Sequence, residues 1–138
     1  MNDKFKFRCY NKFQKKMFDV KCMSYIDGIV KRIEVQNEER ILIFNEWKNN
    51  IDNTVLMQCT GLKDKNGKLI YEGDIVRFIY GNKKRLGYVE ENKTVWSITN
   101  SNFCQGAWCS GALVNLYETC EVIGNIYENK ELLESEGK

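Results

Sequence analysis

Apolar and polar residues alternate with a period of two from the first residues onward. Phe5, Phe7 and Cys9 interleave with Lys4, Lys6, Arg8 and Tyr10. Successive side chains of a strand point to opposite faces, so this spacing predicts a strand with one face buried. Asn11-Lys12-Phe13-Gln14-Lys15 is a polar connection, and residues 17–23 resume the strand, which gives a first hairpin. Asp27-Gly28 is a two-residue turn signal between Ser24-Tyr25-Ile26 and residues 29–35. Gln36-Asn37-Glu38-Glu39 turns the chain again, and residues 41–44 form another strand.

Residues 45–53 break the pattern. Glu46-Trp47-Lys48 followed by Asn49-Asn50 and Asp52-Asn53 is too polar for a strand and suits a loop or one helical turn. A boundary between an N-terminal β region, residues 1–54, and a second region, residues 55–138, falls here. The second region opens on a short apolar run, residues 55–57, which Gly61 should end. Asp64-Lys65-Asn66-Gly67 and Glu72-Gly73-Asp74 then supply turns, because Asn and Gly accept positive φ at little cost. Residues 75–80 are β-branched and aromatic, as strands are. Asn82-Lys83-Lys84-Arg85 is placed at a hairpin tip, with Gly87-Tyr88-Val89-Glu90 returning. Residues 94–99 make a third strand with Trp96 and Ile98 on one face, and residues 122–127 a last one. Asn129 is placed as the N-cap of a short C-terminal helix with Glu131 in its first turn.

Turns recurring at about every 8–12 residues argue for antiparallel β structure. The fold class is mainly β: an N-terminal antiparallel region, an SH3-like small barrel and a short helix. Closing a small sheet removes its exposed edges.

Composition adds mainly exclusions. The chain has 138 residues, 43% of them hydrophobic and 12% aromatic, enough for a real core rather than a disordered tail. There is no His, which removes the commonest general base and zinc ligand and the Cys–His and Ser–His nucleophile pairs. The six Cys carry no signal-peptide pattern before them, and no stretch has the length of a membrane span; a cytoplasmic, reduced protein with small buried thiols is expected.

Candidate chemistry is sparse. Gly61 to Lys68 misses the phosphate-loop spacing by one residue and leads into a strand. The acids around Gly67 are out of register for a calcium loop. Cys104-x4-Cys109 could be half of a metal site, without the tighter Cys-x2-Cys form. Glu72 and Asp74 could pair as acid and base or could simply bond the turn they flank. No catalytic, cofactor or metal residues are therefore assigned.

The most usable binding feature is Lys83, Lys84 and Arg85 flanked by Tyr80 and Tyr88, cations for phosphates and rings for bases, against the simpler reading of a solvated hairpin tip whose Lys residues guard it from aggregation. Net charge is only +2, but it is unevenly spread. Residues 1–16 carry five Lys and one Arg against one Asp; residues 118–138 carry six Glu against two Lys. Ends of this kind are most simply solvated strand and helix faces, and otherwise suit a basic surface for phosphate or contact between copies of the chain.

Three segments, in order, resemble one known family. They are Lys6-Phe7-Arg8-Cys9-Tyr10 with Lys15-Lys16-Met17; Gln58-Cys59-Thr60-Gly61-Leu62-Lys63-Asp64-Lys65-Asn66-Gly67-Lys68 with Ile70-Tyr71-Glu72-Gly73-Asp74-Ile75-Val76; and Glu121-Val122-Ile123-Gly124-Asn125-Ile126-Tyr127-Glu128-Asn129. They resemble the opening, centre and close of the YopX family of phage and prophage proteins. Members often have Pro after the final Asn, where this chain has Lys130. The resemblance implies a small, mainly β protein carried by phages of Gram-positive bacteria, and no catalytic residue transfers with it. The expected function is that of a non-enzymatic accessory protein. It would act through protein contacts with itself or with a phage or host protein, with a nucleic-acid-binding barrel as the alternative.

Overall fold

The computed structural model describes residues 5–36, 41–45, 51–92, 95–99 and 110–136. They form eleven strands: β1 Phe7–Asn11, β2 Lys16–Ile26, β3 Ile29–Gln36, β4 Ile41–Asn45, β5 Thr54–Lys63, β6 Leu69–Tyr71, β7 Asp74–Tyr80, β8 Lys83–Asn92, β9 Val95–Thr99, β10 Ser110–Ala112 and β11 Glu121–Asn125. One α-helix, α1 Glu131–Glu136, follows. Single 3-10 turns lie at Ile51–Asn53, Leu113–Asn115 and Tyr117–Thr119. The protein is mainly β, with antiparallel sheets and a short C-terminal helix, as the alternation predicts. Its contacts divide it into two units, residues 5–58 and residues 59–136, with the division inside β5.

In residues 5–58 the strands are hydrogen-bonded in the order β4-β3-β2-β1-β5, every pair antiparallel. The buried centre is Cys9, Phe18, Ile33, Val35 and Phe44, with the Phe18 and Phe44 rings 5.6 Å apart and tilted. Asn11 is buried at the end of β1, where its side chain bonds Thr54 Oγ1 at 3.2 Å and accepts from the Gln14 amide at 2.9 Å. These bonds shape the β1–β2 turn. The β2–β3 turn is Asp27-Gly28, with φ of +52° and +77°. That is the left-handed pair a tight hairpin needs, and its register is Ile26 opposite Ile29.

In residues 59–136 the strands β7 to β10 form a meander, and β11 returns to pair with β7, giving the order β10-β9-β8-β7-β11. The two 3-10 turns precede that return. The expected closure of this sheet into an SH3-like barrel is not seen among the described residues. Among the described residues β10 and β11 are the sheet edges, and no ladder joins them. The inward face presents Val76, Phe78, Val89 and Ile98, which pack with Ile70, Leu113 and Cys120. Trp96 shares that face with Ile98, as expected.

Three local expectations need correcting. Gly61 does not end its strand: β5 runs through it, and the register slips between Cys59 and Lys63. Gly61 has φ of +83°, and the Thr60 hydroxyl donates to Ile70 O at 2.8 Å, so the glycine absorbs a bulge instead of a turn. The β7–β8 turn is Gly81-Asn82, φ of +58° and +67°, so Lys83, Lys84 and Arg85 lie in β8 and not at the tip. The last strand closes at Asn125, because Asn125 Oδ1 accepts from the Tyr127 and Glu128 amides and bends the chain. The turn residues 37–40 and the Glu46-Trp47-Lys48 segment fall outside the described residues.

Candidate functional site

The five residues singled out for binding do not converge. The register pairs Tyr80 with Lys83, Phe78 with Arg85 and Ile75 with Tyr88. Opposed residues share a face and neighbours alternate. Tyr80, Lys83 and Arg85 therefore lie on the face that carries Phe78, while Lys84 and Tyr88 lie on the other. The Arg85 guanidinium sits 5.9 Å from the Tyr80 ring centroid, covering the ring on which a base would stack. On the opposite face burial, then the charge of Glu90 and a hydrogen bond to it, push the Tyr88 phenol above its ordinary pKa. Glu90 also accepts from Thr99 Oγ1 at 2.9 Å. A carboxylate beside Tyr88 repels phosphate. The five residues are near one another in sequence, but period two along each strand divides them between the two faces.

The central and closing segments converge instead on hydrogen bonds. Asp64 is 6% exposed and accepts three backbone N–H groups: Asn66 and Lys68 on Oδ1 and Val122 on Oδ2, each at 2.9 Å. The Lys65 amide donates to Cys120 O at 2.9 Å, so the 64–68 turn is fastened to the start of β11 at two points. Gly73, φ +85°, donates its N–H to Val89 O at 2.7 Å and accepts from the Ile126 amide at 2.9 Å. Asp74 Oδ2 accepts from the Tyr71 amide at 2.8 Å, closing the Glu72-Gly73 turn. This bond is the turn chemistry expected of Asp74. Asn129 turns its side-chain oxygen to the Asn125 amide at 3.2 Å, packing against Gly124. It thus ties the segment before α1 to the end of β11. Sequence spacing does not show how the turns are fastened to the sheet, because the bonds that do so, Val122 to Asp64, Lys65 to Cys120, Gly73 to Val89 and Ile126 to Gly73, join residues far apart in the chain.

The thiols behave as small apolar groups. Burial, and secondarily the charges of Asp19 and Asp64, push Cys9 and Cys120 up to about 12. A thiol is reactive as its thiolate, so both are inert near neutral pH. Cys59 is also buried, whereas Cys22 on β2 is exposed. Brief native labelling with iodoacetamide followed by peptide mapping should mark Cys22 and spare Cys9, Cys59 and Cys120. Rapid labelling of Cys9 or Cys120 would contradict the burial. Among the described residues no three Cys, Asp or Glu side chains gather as metal ligands, and no helix is long and apolar enough to cross a membrane. Cys104 and Cys109 lie outside the described residues.

The converging segments are those that carried the sequence resemblance, and comparison with known proteins bears on them directly. The YopX protein family model matches residues 6–134. The chain belongs to the YopX family. Two crystal structures are similar over nearly the full length. Protein EF1440 from Enterococcus faecalis is 28% identical, with a TM-score of 0.64, covering 93% of this chain and 96% of its own. YopX from Bacillus subtilis is 20% identical, also with a TM-score of 0.64, covering 96% and 98%; this likeness concerns the fold. No curated protein is significantly similar. The YopX motifs at Asp64, Gly73, Asp74, Asn125 and Asn129 are, in this chain, fastening points of residues 59–136.

Proposed function

We propose that this YopX family member is a phage- or prophage-borne accessory protein that catalyses no reaction and acts by contact, pairing with a second copy of itself through the β2–β3 hairpin. One observation carries the reading. The hairpin extends past the strands that flank it: β1 pairs with β2 only over residues 16–19, and β4 pairs with β3 only over residues 32–36. Among the described residues, Tyr25, Ile26, Ile29 and Val30 are laddered only to each other. Tyr25, Ile26 and Ile29 are 56%, 61% and 59% exposed.

Ile26 opposes Ile29 and Tyr25 opposes Val30, so both faces of the tip are apolar. A two-stranded ribbon is marginal in water, and a ribbon apolar on both faces gains most when clasped. Charge favours a like partner. Asp19, Asp27 and Glu34 nearly balance Lys16, Lys21, Lys31 and Arg32 along the hairpin, so two copies meet with little like-charge repulsion. A symmetric contact uses the same patch twice. Burying such a side chain is worth roughly 1.5–3 kcal/mol, and two tips together offset an association cost of about 4–15 kcal/mol. So small a contact is expected to be weak, with a dissociation constant of about 1–100 μM, or roughly −8 to −5 kcal/mol.

Sedimentation equilibrium tests this. The average mass should rise with concentration from 16.2 kDa towards twice that value, and an Ile26→Lys/Ile29→Lys variant with an unchanged circular dichroism spectrum should stay at 16.2 kDa. A constant 16.2 kDa for the unmodified protein up to about 500 μM, well above the expected constant, rejects the reading. The nucleic-acid-binding reading has less support, since Lys84 and Tyr88 face away from Tyr80, Lys83 and Arg85.

A further inference from the structure

The face of the β7–β11 sheet opposite the core carries a small groove of about 80 Å³ lined by Lys65, Arg77, Ile79, Lys84, Thr119 and Glu121. Strand geometry brings the cations together. Arg77 lies opposite Glu121 on β11, and Ile79 lies opposite Lys84 on β8. Lys84 is thus the diagonal neighbour of Arg77 on one face, a spacing that long side chains bridge. Lys65 arrives from the 64–68 turn, held by its amide bond to Cys120 O. Thr119 is fixed by accepting the Ile79 amide at 3.2 Å and donating to Leu116 O at 3.0 Å.

Two cations, Lys65 and Arg77, share the Glu121 carboxylate, and Lys84 lines the same groove. Glu121 Oε2 stands 3.6 Å from Lys65 Nζ and 3.7 Å from Arg77 Nη1. Charge-assisted hydrogen bonds are about 2.7–2.9 Å long, so neither cation is engaged at bonding distance by this acid. All three side chains are a third to a half exposed, and such surface pairs hold weakly. The groove is positive, already attracts one oxyanion loosely, and is roomy enough for several waters.

We propose that this groove is a subsite for a phosphoryl group, with Arg77 as the forked donor, Lys65 and Lys84 as flanking charges, and Glu121 as the weak internal occupant that the phosphoryl group displaces. The ligand chemistry is a tetrahedral dianion, supplied either as free phosphate or as a phosphomonoester. Arg suits it because its planar donors can engage two oxygens at once. The site lies within residues 59–136 and is independent of the hairpin contact.

The test is a nitrogen-15 amide NMR titration of the full chain at fixed ionic strength, with inorganic phosphate in one arm and O-phosphoserine in the other. The expected result is saturable shifts at Arg77, Lys84, Thr119 and Glu121. Arg77→Gln should weaken binding about tenfold, the loss of one charge-assisted contact. Glu121→Gln should tighten it several-fold, a gain that local damage would not produce. Tighter binding of phosphoserine identifies a phosphomonoester ligand; tighter binding of phosphate identifies the free ion. Shifts that grow linearly in both arms, or a Glu121→Gln variant that binds no better than the unmodified protein, would overturn the assignment.

Discussion

Replacing Asp64 with alanine is expected to lower stability by about 3 kcal/mol, measured by urea unfolding at neutral pH. The carboxylate accepts from Asn66, Lys68 and Val122, and the Val122 bond spans 58 positions of sequence. A hydrogen bond to a charged acceptor contributes about 1.5–3 kcal/mol, and a buried donor left without one adds a desolvation cost. Water entering the vacated space recovers part of this, so the sum falls below three full bonds. Asp64→Asn keeps one side-chain oxygen but sets an amide nitrogen against an N–H, and should cost about 2 kcal/mol.

The Asp64 effect carries a pH signature. Burial by itself raises this carboxyl, but the Val122, Lys68 and Asn66 N–H groups and the Lys68 charge outweigh it, and the pKa lies below its ordinary 3.8. A depressed carboxyl stabilises the folded state fully above its unfolded pKa and loses that contribution as pH falls through the folded value. The stability gap between the unmodified protein and Asp64→Asn should therefore be widest above about pH 5, and should narrow as pH drops below the unfolded carboxylate value. A gap that is flat from neutral pH to pH 3 would show that the carboxylate is not the fastening group.

The second large effect is at Gly87. A Cβ there would stand 2.6 Å from Ile98 Cγ2 and 3.0 Å from Thr99 O. Ile98 is fully buried, so its methyl has nowhere to swing, and the carbonyl belongs to the β8–β9 ladder. Removing a glycine from a strand ordinarily stabilises by about 0.4–1 kcal/mol through the unfolded chain. Overpacking a filled core costs about 1–3 kcal/mol, which wins. Gly87→Ala should destabilise by about 1–2 kcal/mol and Gly87→Val by more, seen as a lowered urea midpoint with an unchanged slope. By contrast Gly67 has open space where its Cβ would be, and its constraint is φ of +84° alone. A Gly87→Ala variant as stable as the unmodified protein would mean that β8 and β9 are not packed this closely.

These two residues mark what could be read in advance. The strands were legible because period-two alternation survives wherever one face is buried, and turns such as Asp27-Gly28 and Glu72-Gly73 announce themselves by residues that accept positive φ. The YopX likeness was legible because its motifs stand in order along the chain. What those motifs do was not. Asp64 looks like any turn acid until β11 brings the Val122 amide to it, and Gly87 looks like a soft spot until Ile98 is placed above it. The Gly61 bulge was hidden because a positive-φ glycine can end a strand or bend it, and only the Thr60 bond to Ile70 decides which. The phosphoryl groove draws on a turn, two strands of the meander and the returning strand, which no single stretch of sequence displays together.

The central claim is that the working surface is the apolar tip of the β2–β3 hairpin, bound to a second copy of the chain. Hydrogen exchange read by mass spectrometry at two concentrations, about 1 μM and about 300 μM, straddling the expected constant, addresses it most directly. Peptides covering residues 24–31 should exchange several-fold more slowly at the higher concentration, while the β7–β8 hairpin stays unchanged. Identical exchange across residues 24–31 at both concentrations, or slowing confined to residues 59–136, would contradict the claim.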